Sequence, residues 1–311
     1  MCSAPSTLNA LTTMTPSPAT AATIAAPLGL SSFTLAYAAM RLPLIVQWIR
    51  SARDDVTHRA FALTYAAGSV LAQVLWVLGA ALPTPATAVV FAAALATELA
   101  TPVLAVRRSP DRVFHPGHIA ERYGLFTIIV LGKTILAVSV GLRHSLDGEG
   151  DLGSAPVVVS AALVIAFGLW WVYFDALGRD ALTRHRAAAF RWGYGHYFLF
   201  AAVAAAGAGV QAQLHLAHNE HDDGHLVAVA ALAVPVAISL AAIAWLQQTA
   251  NGKVGDATWL YLAAGITLLT TLLSWSLPVP AIDALLALIV VALVVRDLLS
   301  RERPSNTTGA R

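Results

Sequence analysis

The chain has 311 residues, of which 58% are apolar and only 12% are charged, with a net charge of +2. That is too little charge to solvate a globular surface of this size, and too small a net charge to mark a nucleic-acid partner. Its one cysteine, Cys2, excludes an internal disulfide and follows no apolar run that would make it a lipid-anchor cysteine.

Residues 1–27 are rich in Ala, Thr, Pro and Ser, with no basic residue before Arg41. They lack the positive start and apolar core of a secretory signal, and Pro16, Pro18 and Pro27 break a helix. The expectation is a disordered lead-in. Nine apolar stretches follow, at about 28–50, 60–82, 86–106, 119–142, 155–178, 190–214, 226–250, 257–277 and 279–299. A hydrocarbon core about 30 Å thick needs roughly 20 such residues of helix. The predicted fold is an all-α, polytopic transmembrane bundle of about nine spans, with the lipid bilayer as its surroundings and no soluble domain. Residues 300–311 form a polar tail.

Basic residues alternate between the gaps. Arg50, Arg53 and Arg59 follow the first stretch, and Arg107, Arg108 and Arg112 the third. Arg179, Arg184, Arg186 and Arg191 follow the fifth, Lys253 the seventh, and Arg296, Arg301, Arg303 and Arg311 close the chain. The intervening gaps hold Arg143 alone. Short basic loops stay cytoplasmic, so the expected C-terminus is inside and residue 28 outside. Two lysines against seventeen arginines, with abundant alanine, read as a GC-rich bacterial coding bias and so as a bacterial plasma membrane. An outside start without a signal, and a first span weakened by Arg41 and Pro43, point to a missing upstream segment.

Ionisable residues inside spans cost about 2.5–3.5 kcal/mol each on insertion scales and usually face partners within the bundle. Glu98 lies in the third span, four residues before Pro102, whose absent N–H frees the Glu98 carbonyl. Arg41 lies at a similar depth, and the expectation is a Glu98–Arg41 pair, serving either a pathway or helix register. Lys133 sits near the middle of the fourth span, and Glu121 and Arg122 open it. Arg122, Phe126, Ile129 and Lys133 share one helical stripe, a polar line from the cytoplasmic mouth toward mid-membrane. Asp175 and His196 sit at the level of Glu121 and Arg122, where charges also snorkel to anchor helix ends. Trp170, Trp171 and Tyr173 read as an aromatic belt.

The loop HLAHNEHDDGH (215–225) places His215, His218, His221 and His225 among acidic residues, a weak candidate for a zinc, nickel or copper site. Polar residues are also what any exposed loop contains. No phosphate-binding glycine loop, Ser–His–Asp order or zinc-protease helix is present, so an enzyme reading has little basis, and no cofactor is expected.

The segment HIAERYGLFTIIVLGKTILAV (118–138) resembles the bacterial low temperature requirement protein A (LtrA) family, with its signature close to H-x-x-E-R-x-G-L-F-T-I-I-V-L-G-E. TELATP (97–102), LWWVYFD (169–175), YGHY (194–197) and LAYAAMRL (35–42) add to the resemblance. It implies a polytopic bacterial membrane protein linked to growth in the cold, without an assigned biochemical activity. His118, Glu121, Arg122, Gly124, Thr127 and Gly132 fall on motif positions, as do Glu98, Asp175 and His196. Gly124, Gly132 and the small-residue run of the sixth span would let neighbouring helices approach.

Two departures stand out. The family's N-terminal E-L-F-F-D-L-V-F-V signature has no match here, which again implies absent N-terminal spans. The family's Glu in L-G-E is Lys133, a reversed charge that a compensating acid such as Glu98 would pair. Three functions follow as expectations: passage of protons or a small ion or solute along the charged residues, support of the bilayer in the cold with those charges as structural pairs, or an intramembrane enzyme acting on lipid.

Overall fold

The structure is a computed structural model that describes residues 30–83, 85–109, 116–144, 146, 153–177, 189–216, 222–251 and 255–301. The expected lead-in lies outside the described residues, as does the polar tail beyond Arg301; Ser300 and Arg301 close the last helix. Nine α-helices and no strand occur among them: α1 Leu30–Asp54, α2 Arg59–Ala80, α3 Ala86–Arg107, α4 Pro116–His144, α5 Ala155–Ala176, α6 Ala189–Leu216, α7 Asp222–Asn251, α8 Gly255–Leu269 and α9 Val279–Arg301. Each coincides with one predicted stretch. The protein is a polytopic helical bundle.

Eight of the nine, α2 to α9, are long and apolar enough to cross a membrane, α8 together with the 3₁₀ turn that continues it to Trp275. The exception is α1. Its 25 residues span about 37 Å, ample for a bilayer. Ser31, Ser32, Thr34, Arg41 and Gln47 dilute its apolar content, and Pro43 interrupts its ladder. Length alone therefore supports the ninth span, and composition does not.

The chain divides into two compact units, Met1–Val113 and Phe114–Arg311. In the first, α2 packs against both α1 and α3. Gly68 of α2 lies directly against Thr101 of α3, so close that a Cβ there would run into the threonine side chain. At the α1–α2 turn, the Asp55 carboxylate accepts from the Thr57 and His58 backbone N–H groups at 2.9 and 3.2 Å and meets His58 Nδ1 at 2.7 Å.

In the second unit α7 is the hub, packed on α6 and α8, while α4 packs on α6 and α5 on α9. The apolar window of α7 is 61% buried against 17% for α3 in the first unit, as expected of a helix apolar on every side that is ringed by others. Leu232, Val236, Leu240 and Ile243 of α7 are fully enclosed with Leu199, Val210, Ile282 and Leu286. The α6–α7 approach depends on glycine: a Cβ at Gly209 would strike the Ala231 backbone carbonyl, and one at Gly195 the Trp245 ring. After Leu269, α8 tightens into a 3₁₀ turn, Thr270–Trp275, whose Thr270 and Thr271 hydroxyls bond carbonyls three residues back at 2.7 and 2.6 Å.

Candidate functional site

In the first unit the polar residues of three helices converge on one oxygen. Glu98 Oε1, on α3, accepts from the Tyr37 hydroxyl at 2.8 Å, Gln73 Nε2 at 3.2 Å and Trp76 Nε1 at 3.3 Å. Arg41 Nη2 stands 3.5 Å from the same atom. Arg41 also donates to the Tyr37 hydroxyl through Nη2 at 2.7 Å and Nε at 3.1 Å. The hydroxyl thus receives from the cation and gives to the carboxylate. Local helix geometry sets this up: Tyr37 and Arg41 are four apart on α1, and Gln73 and Trp76 three apart on α2. Tyr37 and Trp76 meet edge to face at 6.2 Å, and Phe91 closes on Trp76 at 4.7 Å. The ion pair keeps some contact with its surroundings, with side chains 31% (Arg41) and 20% (Glu98) exposed. Gln73 Oε1 is buried and unpartnered.

The second unit buries a different cluster. His196 of α6 is fully enclosed. Its Nδ1 lies 2.8 Å from the Trp192 carbonyl and its Nε2 3.0 Å from the Tyr173 hydroxyl. A carbonyl only accepts, so Nδ1 carries the proton and Nε2 accepts from Tyr173, a tautomer assigned from the network. Trp192, Tyr123 and Phe200 surround the ring at 4.1, 4.6 and 5.5 Å. Tyr173 is therefore a buried hydrogen-bond donor rather than part of an aromatic belt. Trp171 donates to Asp297 Oδ2 at 3.2 Å, and Trp170 is exposed.

Sequence reasoning groups Glu121, Arg122, Asp175 and His196. The structure separates them: His196 is enclosed, whereas the other three are exposed. Glu121 Oε2 faces His118 Nδ1 at 3.7 Å, one turn apart on the surface of α4. The stripe Arg122–Phe126–Ile129–Lys133 exists, but all four residues are exposed, although the Phe126 ring also meets Phe200 of α6 edge to face at 4.7 Å. Helix α4 presents its other face to α5 and α6, where Thr127, Val130, Leu131 and Thr134 are buried. Among the described residues of its own unit Glu98 accepts from Tyr37, Gln73 and Trp76, and within its own unit Lys133 forms no ion pair with a described residue.

Of the two motif glycines, Gly124 meets Phe174 of α5, where a Cβ would lie 3.3 Å from the ring. Gly132 has open space around it, so close helix packing does not explain it. His218 and His221 lie outside the described residues, as does the side chain of His215; His225 is half-buried on α7. Among the described residues no group of three or more His, Cys, Asp or Glu is arranged to hold a metal.

Sequence reasoning missed Tyr37, Gln73 and Trp76, although their three- and four-residue spacings and the amide in mid-span were visible. It also missed Asp283 of α9, 1% exposed and bonded to Gln213 of α6 at 3.2 Å. An acid only four residues into an apolar run is easily taken for a helix-end residue.

The family profile described as bacterial low temperature requirement A protein (LtrA) matches residues 3–295. The chain belongs to the LtrA family. A curated relative, an uncharacterized protein of Rhizobium meliloti (strain 1021), is 28% identical over 141 residues. The match covers 43% of this chain and 33% of that protein, so the chain spans about a third of the relative's length. No solved structure matches significantly. In this LtrA-family chain the fourth-span signature lies on α4 with Thr127 on its buried side, and TELATP carries the Glu98 cluster.

Proposed function

We propose that this protein is a transporter or channel-like protein of the bacterial plasma membrane for protons or a small ion or solute, with its C-terminus in the cytoplasm. Glu98 is the residue at the centre of its path. The orientation rests on the arginines of alternate gaps. The observation that carries the reading is the convergence of Tyr37, Arg41, Gln73 and Trp76 on a single oxygen of Glu98. Paired charges inside a membrane beside a proline-interrupted helix are a common form for ion and proton sites. Crowding of every donor onto Oε1 leaves Oε2 as the atom that would take a proton or cation. The hydroxyl of Tyr37 links that carboxylate to Arg41, so a change of charge at Glu98 would be felt at Arg41.

A second reading is that of a membrane protein that supports the bilayer without transport. The same saturation of Oε1 favours it, since four groups from two helices holding a third make a clamp, and the family's description names a low-temperature requirement. Glu98→Gln separates the two. Under the first reading the variant folds and loses flux; under the second it shows no flux to lose, and its melting temperature falls.

A further inference from the structure

Asp283 occupies the most enclosed polar position on α9, between Ile282 and Leu286, which are themselves fully buried. Gln213 Nε2 of α6 donates to its Oδ1 at 3.2 Å and to the Ala228 carbonyl of α7 at 2.9 Å. Two oxygens then remain buried without a partner among the described residues: Asp283 Oδ2 and Gln213 Oε1. Asp283 is 1% exposed and Gln213 3%. The site holds four acceptor oxygens and the N–H groups of one amide. Among the described residues it lacks a further donor.

An ionised carboxylate here would keep its charge in an apolar interior with one shared hydrogen bond, which is costly. No salt bridge joins it to a described cation; Arg143, two residues beyond the Gly141 that lies against Leu214, is exposed at the end of α4. Arg296 is 13 residues along α9, about 20 Å away by helix rise. On α5, Asp175 is at the C-terminal end; on α6, His196 is almost five turns from Gln213; on α8, Tyr261 bonds Gln248. His215, two residues after Gln213 on α6, is the nearest titratable residue by sequence, its side chain outside the described residues; His225 lies one turn before Ala228 on α7. A proton on Oδ2 removes the charge and makes that atom a donor. Carboxylic acid and primary amide are complementary, each giving one hydrogen and accepting one. The orphaned acceptor, Gln213 Oε1, belongs to the amide already bonded to Asp283.

We propose that Asp283 is a proton-binding site of the second unit, held as the carboxylic acid and positioned by Gln213. The proton adds to Oδ2 from the aqueous phase and leaves to it, with no other bond made or broken. This site is separate from the Glu98 cluster, and its test does not depend on flux.

Infrared spectra of the lipid-reconstituted protein at neutral pH carry that test. Wild type is expected to show a protonated-carboxyl carbonyl stretch that Asp283→Asn lacks and Gln213→Leu shifts, with His225→Gln leaving it in place. Superimposable spectra for wild type and Asp283→Asn would overturn the proposal. So would loss of the band on adding Na⁺ or K⁺ at fixed pH, which would assign the oxygens to a metal cation. Should Asp283→Asn fail to fold, a wild-type band left unmoved by Gln213→Leu would overturn it equally.

Discussion

The Tyr37 hydroxyl lies 2.8 Å from Glu98 Oε1 and joins α1 to α3 across 61 residues of sequence. Because Arg41 donates to the same hydroxyl, the tyrosine is the middle member of a cation–hydroxyl–carboxylate relay. Tyr37→Phe keeps the ring and its edge contact with Trp76 but removes all three hydrogen bonds of the hydroxyl. The expected loss is about 1.5–3 kcal/mol, the range for hydrogen bonds to charged groups. Thermal unfolding in detergent measures it, and an unchanged midpoint would show that the relay does not hold the helices.

Tyr173→Phe is expected to act in the second unit by another route. It leaves His196 Nε2 as a buried acceptor with nothing donating to it, at about 1–3 kcal/mol. His196→Phe removes acceptor and donor together. The double variant should therefore lose less than the sum of the singles, which a double-mutant cycle on unfolding reads directly.

The two glycine classes predict opposite outcomes. Gly209→Ala drives a methyl group into the Ala231 carbonyl, backbone that has little room to yield, and should cost about 1–3 kcal/mol. Gly132→Ala meets open space in mid-helix and should be neutral or stabilise by up to about 1 kcal/mol. A folded Gly132→Ala protein that loses activity would show that this motif glycine serves function rather than packing.

At the α1–α2 turn, the hydrogen bond from His58 holds the Asp55 carboxyl below the ordinary carboxylate range, with help from the His58 backbone N–H. A folded-state value below the unfolded one stabilises the turn above about pH 4, and that contribution fades as the pH falls through the folded value. Asp55→Asn should abolish this pH dependence, which an NMR pH series on the Thr57 and His58 backbone amides would follow.

The helices were legible because membrane spans obey a length and apolarity rule that needs no tertiary information: each predicted stretch is one of α1 to α9. The Glu98–Arg41 approach was legible for a related reason, since two isolated opposite charges at one depth have few other partners. Direction was harder to read. Arg122 and Lys133 share a stripe by period alone, but period does not say whether that stripe faces neighbours or the outside of its unit. The small, close-packing residues of α6 and the buried face of α4 decide that, and they act through helices distant in sequence. Asp283 stayed hidden because its burial depends on Gln213, 70 residues earlier.

Proton and monovalent-cation flux in proteoliposomes tests the transport reading most directly, with wild type compared against Glu98→Gln. The account predicts flux through wild type and its loss in a Glu98→Gln protein that still folds. A folded wild-type protein with no flux for protons, Na⁺ or K⁺ across a range of pH would contradict it and favour the bilayer-supporting role.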